Sequence, residues 1–365
     1  MHRGREQRAM TARLALLGTG TVGGAVLERL ERLQRADHDD HAPALQLVAT
    51  ANTRGVQLLP GAQQAGIGGD GGHAGTAVHA LGASGTRIVI DATASDAIAA
   101  RHAGWLSAGI HVVTACKLGQ GAALSRWRAI RAAIDESGSC YGDSATVGAG
   151  LPVLRTLRAL QAGGDRIHGV AGVLSGSLAW LLSRYDGSVV FAELVEQART
   201  LGYTEPDPSV DLGGEDVRRK LVIVARACGI ALEPHAVQVE PVCGDALQRQ
   251  HAQALREGRV LRHVARLQCG DDGAAARVGV EALPADDALA GAGSDNRIAI
   301  RSDRYRDQPL LVQGPGAGAA VTAAALLDDV LDIARKARAY DVATASGLRS
   351  SAPRYSSSGR GWSMA

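Results

Sequence analysis

The chain has 365 residues, a net charge of +2, 21% charged residues and only 3% aromatic residues. That length holds two domains with sizeable cores, and near-neutral charge with so few aromatics excludes polyanion-binding surfaces and base-stacking platforms, so no nucleic-acid partner is expected. The five cysteines are scattered, odd in number and without a CxxC pair, which argues against a disulfide framework or zinc site and for a reducing, cytoplasmic compartment, and no apolar run approaches the length of a membrane span.

Residues 1–12 are basic and lead straight into an apolar run, with no leader-like apolar segment or cleavage site. They are read as a disordered extension, or as residues preceding a natural start at Met10. Residues 14–17 predict a strand that ends in Gly18-Thr19-Gly20-Thr21-Val22-Gly23-Gly24, and Val26, Leu27, Leu30 and Leu33 then recur at helical spacing. Strand, G-x-G-x-x-G, helix is the order of a dinucleotide-binding βαβ unit. Gly18 allows the tight turn, Gly20 the approach of backbone to a pyrophosphate, and Gly23 close helix–strand packing. Thr21 and Val22 open the helix, whose first N–H groups face the phosphates.

A second predicted strand, 45–51, ends in Asn52-Thr53-Arg54. An acidic residue there would take the ribose hydroxyls of NAD; Asn52 and Arg54 instead favour the 2′-phosphate of NADP(H), with NAD(H) as the alternative coenzyme. The glycine-rich loop 66–75 carries no assigned role. Strand 88–90 ends in a small-residue tip containing Thr93 and Ser95, placed near a cofactor in a doubly wound sheet. After an Ala-rich helix around Trp105, strand 110–114 ends in Ala115-Cys116-Lys117. Helix 127–137 and an element opening at Cys140 lead into DSATVGAGLP, residues 143–152.

The second region opens with a helix over 153–161, then Ser175-Gly176-Ser177, where Ser177 could cap the next helix. Helix 191–201 delivers the chain to GYTEPDPSVDLGGEDVRRK, residues 202–220. Pro206 and Pro208 constrain the loop that carries Glu205 and Asp207. From Glu215, Val217, Leu221, Val224 and Ala225 recur at helical spacing up to Gly229, so Asp216 and Lys220 share one helix face. Such a pair is either an ordinary exposed ion pair or part of a charged pocket below the acids. Runs 238–242, 260–268 and 276–282 suggest an antiparallel sheet with helices. Strands at 297–300 and 310–312 precede Gly314-Pro315-Gly316-Ala317-Gly318 and a long helix, 320–339; a Ser-, Arg- and Gly-rich tail follows.

These motifs, in this order, resemble the homoserine dehydrogenase family over about residues 12–339, closest to the dehydrogenase half of bifunctional aspartokinase–homoserine dehydrogenases. The resemblance implies an α/β chain: a Rossmann-like nucleotide-binding domain (13–146), an α+β substrate-binding and dimerisation domain (147–314), a helix returning to the nucleotide domain (315–340) and a disordered tail (341–365). It implies reduction of L-aspartate 4-semialdehyde to L-homoserine with NAD(P)H, in threonine and methionine biosynthesis, by a homodimer. Lys117 and Lys220 are then rival proton donors, with Asp216 orienting Lys220. Glu205 and Asp211 hold the substrate ammonium, Tyr203, Gly176 and Ser177 line the substrate, and Gly316 joins Gly18, Gly20, Thr21, Val22, Gly23, Asn52, Arg54, Thr93, Ser95 and Lys117 at the cofactor. The carbonyls of Val147, Ala149 and Leu151 correspond to a monovalent-cation site, sodium by preference.

Two departures stand out: Cys116 replaces the family's Asn before Lys117, and Ser144 holds the place of the cation's acidic ligand. They keep open a catalytically weak NADP(H)-binding paralogue, beside another amino-acid-pathway oxidoreductase of this architecture. The residues after 340 are fewer than the roughly 50 of a small regulatory domain, so threonine feedback through an appended domain is not expected.

Overall fold

The computed structural model describes residues 11–35, 43–63, 72–204, 207–270 and 273–345, with side chains up to 340. The first sheet is built from β1 (Thr11–Leu17), β2 (Ala44–Asn52), β3 (Gly55–Leu58), β4 (Arg87–Asp91), β5 (His111–Thr114) and β6 (Tyr141–Gly142), in the order β3-β2-β1-β4-β5-β6. Strand β1 pairs in parallel with both β2 and β4, and β4, β5 and β6 continue in parallel. All these strands therefore end on one edge, where an open α/β sheet binds ligands.

The alternation of a strand decides its cores. Leu14 and Leu16 of β1 pack with Val26 and Leu30 of α1 (Thr21–Arg35), whereas Ala15 and Leu17 face Ala77 and Val78 of α2 (Gly72–His79) on the other side. Two short helices, α3 (Asp96–Ala99) and α4 (His102–Ser107), replace the single helix expected around Trp105; α5 (Leu124–Ser137) follows. Strand β3 was not expected. It is four half-exposed residues closing the sheet edge in an antiparallel hairpin with β2, too short for an apolar period to show.

The second sheet has the order β12-β11-β7-β9-β10-β8, from β7 (Ile167–Val173), β8 (Gln238–Val239), β9 (Arg259–Gly270), β10 (Gly273–Pro284), β11 (Asn296–Ser302) and β12 (Leu310–Gly314). It is antiparallel as expected, except that β8 runs parallel to β10. On one face Leu154 and Leu157 of α6 (Val153–Ala162) and Leu221 and Val224 of α10 (Glu215–Ala227) pack on Val170, Ala265 and Ile298. Helices α7 (Gly176–Arg184) and α8 (Phe191–Thr200), joined by α11 (Gly244–Arg256), form a separate core with Leu261.

Ser175, rather than Ser177, caps α7: its side chain accepts from Leu178 N. The acidic stretch is partly helical, α9 (Pro208–Leu212), with Pro208 in its first turn and Asp207 accepting from Ser209 N at the cap. The last helix, α12 (Ala319–Ala345), returns to the first sheet, where Leu326 and Val330 join the core of Leu14 and Ile90. Strand β1 starts at Thr11, inside the stretch read as an extension. The expected tail lies mostly outside the described residues.

Candidate active site

The glycine loop has the geometry its spacing demands. Gly18 has φ +88°, and a Cβ there would lie 2.8 Å from the Ala92 carbonyl oxygen; a Cβ on Gly23 would lie 1.9 Å from the Gly18 oxygen. Neither position admits a side chain. Gly20 has nothing within 4 Å of a Cβ position, leaving open space over the N-terminus of α1. That combination suits a pyrophosphate. Asn52 ties the loop to the end of β2. Its amide donates to Thr19 Oγ1 at 2.7 Å, and its carbonyl accepts from Arg54 N and Gly55 N, which fixes the turn that leaves the Arg54 side chain exposed.

The tip after β4 hangs on Asp91, a fully buried residue that sequence reading did not single out. Asp91 accepts from Thr93 N and Thr93 Oγ1 on one oxygen, and from Thr114 Oγ1 at 3.1 Å on the other, where His102 Nε2 also stands at 3.0 Å. His102 Nδ1 lies 2.9 Å from the Tyr141 hydroxyl. Ser95 caps α3. Asp91 thus joins the tip carrying Thr93 and Ser95 to the end of β5, where Cys116 N donates to Thr114 Oγ1. Cys116 is buried, and burial together with the nearby Asp91 charge pushes its thiol up to about 11. It is a packed neutral side chain, not a nucleophile.

Three expected site residues meet where the loop after β5 reaches α10. Asp216, in the first turn of α10, places Oδ1 3.2 Å from Lys117 Nζ and Oδ2 2.8 Å from Lys220 Nζ. Lys220 also donates to the Leu174 carbonyl at 2.7 Å and is only 8% exposed, so this is no ordinary surface pair. Burial works against ionisation of Asp216, yet the Lys220 and Lys117 ammonium groups outweigh it and hold the carboxyl at about 2. Burial lowers Lys220, Asp216 raises it, and Lys117 lowers it again; the net direction is downward, toward easier release of a proton. Leu174 was missed because nothing in a sequence marks a carbonyl that will cap an ammonium.

Ser177 Oγ donates to Asp211 Oδ1 at 3.0 Å, joining α7 to α9. Tyr203 stacks on Trp180, ring centroids 4.6 Å apart. Gly176 lies beside Ser294, whose carbonyl oxygen is 3.3 Å from a Cβ position. Gly316 is pressed against Asn296, whose amide would overlap any Cβ there. Glu205 lies outside the described residues. At the hinge, Gly148 (φ +74°) and Ala149 (φ +50°) turn the chain between Val147 and Leu151. Ser144 does not stand free: its hydroxyl donates to Asp329 Oδ1 and accepts from Arg155 Nε at 3.2 Å, while Asp143 is paired with Arg158. Among the described residues no group of three His, Cys, Asp or Glu side chains could hold a metal. All five cysteines are free, and no described helix is long and apolar enough to cross a membrane.

A parallel nucleotide-type sheet with a glycine loop at its ligand edge, joined through a lysine–carboxylate cluster to a helix packed on a second sheet, defines a two-domain dinucleotide-binding α/β architecture. Residues 152–331 match the homoserine dehydrogenase family and residues 18–141 the homoserine dehydrogenase NAD-binding domain. Homoserine dehydrogenase of Paracoccidioides brasiliensis is 35% identical over 281 residues, covering 69% of this chain and 75% of that protein. Bifunctional aspartokinase/homoserine dehydrogenase 2 of Escherichia coli is 43% identical over 268 residues, covering 68% of this chain but 33% of that protein, so the chain spans about a third of such bifunctional relatives. The solved structure of a putative homoserine dehydrogenase from Archaeoglobus fulgidus superposes with a TM-score of 0.72 at 24% identity, over 88% of this chain and 99% of that one. The chain belongs to the homoserine dehydrogenase family.

Proposed function

We propose that this chain reduces L-aspartate 4-semialdehyde to L-homoserine with NADPH, and that Lys220 gives the proton. The observation that carries the reading is the Lys220 ammonium, buried between Asp216 and the Leu174 carbonyl and sharing the Asp216 carboxylate with Lys117. NADPH, which the loop of Gly18, Gly20 and Gly23 would hold, would supply the hydride when bound. Negative charge then grows on the carbonyl oxygen, and a fixed ammonium both stabilises it and protonates it. Asp216 keeps Lys220 oriented and charged, and Lys117 adds a second positive charge. Asp211, held by Ser177, and Glu205 take the substrate ammonium, because acceptor-only carboxylates match its donors.

The exposed Arg54 beside Asn52 supports a preference for the 2′-phosphate of NADPH. The carbonyls of Val147, Ala149 and Leu151 offer the oxygen donors a hard monovalent cation such as sodium prefers. Because Ser144 is neutral and already engaged by Asp329 and Arg155, that cation binds weakly. A homodimer through the second sheet is in keeping with the exposed Leu311 on its edge strand β12. The test is homoserine-dependent reduction of NADP+ by the purified chain. Turnover lost with NADP+ but retained on another amino-acid substrate would reassign the reaction, and NADPH binding without any turnover would make the chain a binding paralogue.

A further inference from the structure

We propose that Arg226 is a positioning residue for this site: from the far end of α10 it fixes the loop 117–122 so that Lys117 meets Asp216. The inference rests on the reading above for its catalytic consequence, but its geometry stands by itself. Arg226 lies ten residues after Asp216, roughly 15 Å along the helix. It is 3% exposed, and the hydrogen-bond partners of its guanidinium are backbone carbonyls, with no carboxylate among them. Nη1 donates to Gln120 and, at 2.8 Å, to Ala122; Nη2 donates to Leu232 at 2.9 Å. Nε is buried without a partner, and the Trp127 ring lies 5.9 Å from the guanidinium carbon.

A buried cation without an ion-pair partner is a costly placement. Burial lowers this one to about 10, with the charge of Glu233 acting in the opposite direction, so it stays charged near neutral pH. A buried methionine or leucine would fill the same space without that cost, so packing alone does not account for it. Nη1 instead holds the segment that begins with Lys117, while Nη2 anchors the guanidinium to Leu232, just past the end of α10.

The same segment is pressed onto α10 by its backbone. Gly121 N donates to the Lys117 carbonyl at 2.7 Å, and a Cβ on Gly121 would sit 3.1 Å from the Arg219 carbonyl oxygen of α10. Lys117 leaves the loop at one end, and its ammonium reaches Asp216 on the same helix. Other tethers run elsewhere: Arg126 of α5 donates to the Leu118 carbonyl, and the Gln120 side chain donates to Asp143 near the hinge. Among the described residues, Arg226 ties the loop to the helix carrying Asp216 and Lys220 at the end away from the Lys117–Asp216 pair. It thereby sets how the coenzyme end and the substrate end of the cleft face each other.

The test uses Arg226→Gln and Arg226→Lys, each alone and combined with Lys117→Met. A shift of the Lys117 loop should cut kcat by roughly tenfold to a hundredfold, as small misplacements do, with NADPH affinity nearly unchanged. In the Lys117→Met background the Arg226 change should cost little more, and Arg226→Lys, which keeps one donor, should recover part of the loss. An equal drop in both backgrounds would reduce Arg226 to a general stabiliser and overturn the proposal. A second readout needs no turnover: reductive methylation of Lys117, read by mass spectrometry, should speed up several-fold in Arg226→Lys, which also serves if Arg226→Gln fails to fold. Unchanged Lys117 labelling overturns the positioning role whatever the enzyme reduces. Faster labelling in a chain that never oxidises homoserine would leave the positioning intact and sink the proposed reaction instead.

Discussion

The two sheets prepare their ends of the cleft by different means. At the first, the contacts are backbone: a glycine loop too tight for side chains at Gly18 and Gly23 and open at Gly20, over the start of α1. At the second, they are charges half or fully withdrawn from water, Asp216 and Lys220 of α10, with Lys117 reaching them from the first sheet and both ammonium groups within 3.2 Å of Asp216. A backbone cradle holds a ligand in one place and is indifferent to pH. A buried charge cluster can tune and release a proton, but only while every partner stays in place. The two ends should therefore fail differently when altered.

The largest effect is expected at the charged end. Lys220→Ala should lower kcat by about 10²–10⁴, the usual worth of a general acid, while NADPH binding measured by fluorescence stays intact. Near-normal kcat in a folded Lys220→Ala protein would pass the role to Lys117. At the backbone end the effect should appear in affinity. Arg54→Ala should weaken NADPH by about tenfold, the loss of one charge-assisted contact, and leave NADH unchanged; an unaltered NADPH dissociation constant would remove Arg54 from the coenzyme site. Smallest is Ser177→Ala, which frees Asp211 of one hydrogen bond worth about 1 kcal/mol and should raise KM for the amino acid about fivefold with kcat kept. A fall in kcat without a change in KM would contradict that assignment.

The same contrast explains what the sequence made legible. The glycine loop is local, so its spacing announced the turn, the strand and the helix together. Asp216 and Lys220 were legible as an i,i+4 pair, but whether that pair was surface decoration depended on burial, which only packing of α10 on the second sheet decides. Lys117 lies about a hundred residues away in sequence from both, and no spacing could join them. Asp91, the Leu174 carbonyl and Arg226 were not legible. Each acts through backbone groups or through residues brought near by the sheets, and none carries a motif. Ser144 was noted as a neutral replacement for an acid; that Asp329, from α12, would reach it was not visible. The short strand β3 and the break between α3 and α4 lie below the length at which periodicity speaks.

The most direct test of the lysine–aspartate–lysine cluster is the pH dependence of kcat for aldehyde reduction in the wild type, Asp216→Asn and Lys117→Met. On the proposal that Lys220 gives the proton, kcat should fall as pH rises through a value below the ordinary lysine 10.5, because burial lowers this ammonium. Asp216 raises Lys220, so Asp216→Asn should move the fall to lower pH; Lys117 lowers it, so Lys117→Met should move the fall to higher pH. Opposite shifts of the two variants are the result this account requires. A fall at the same pH in all three proteins, or its disappearance together with turnover in Lys117→Met alone, would contradict it.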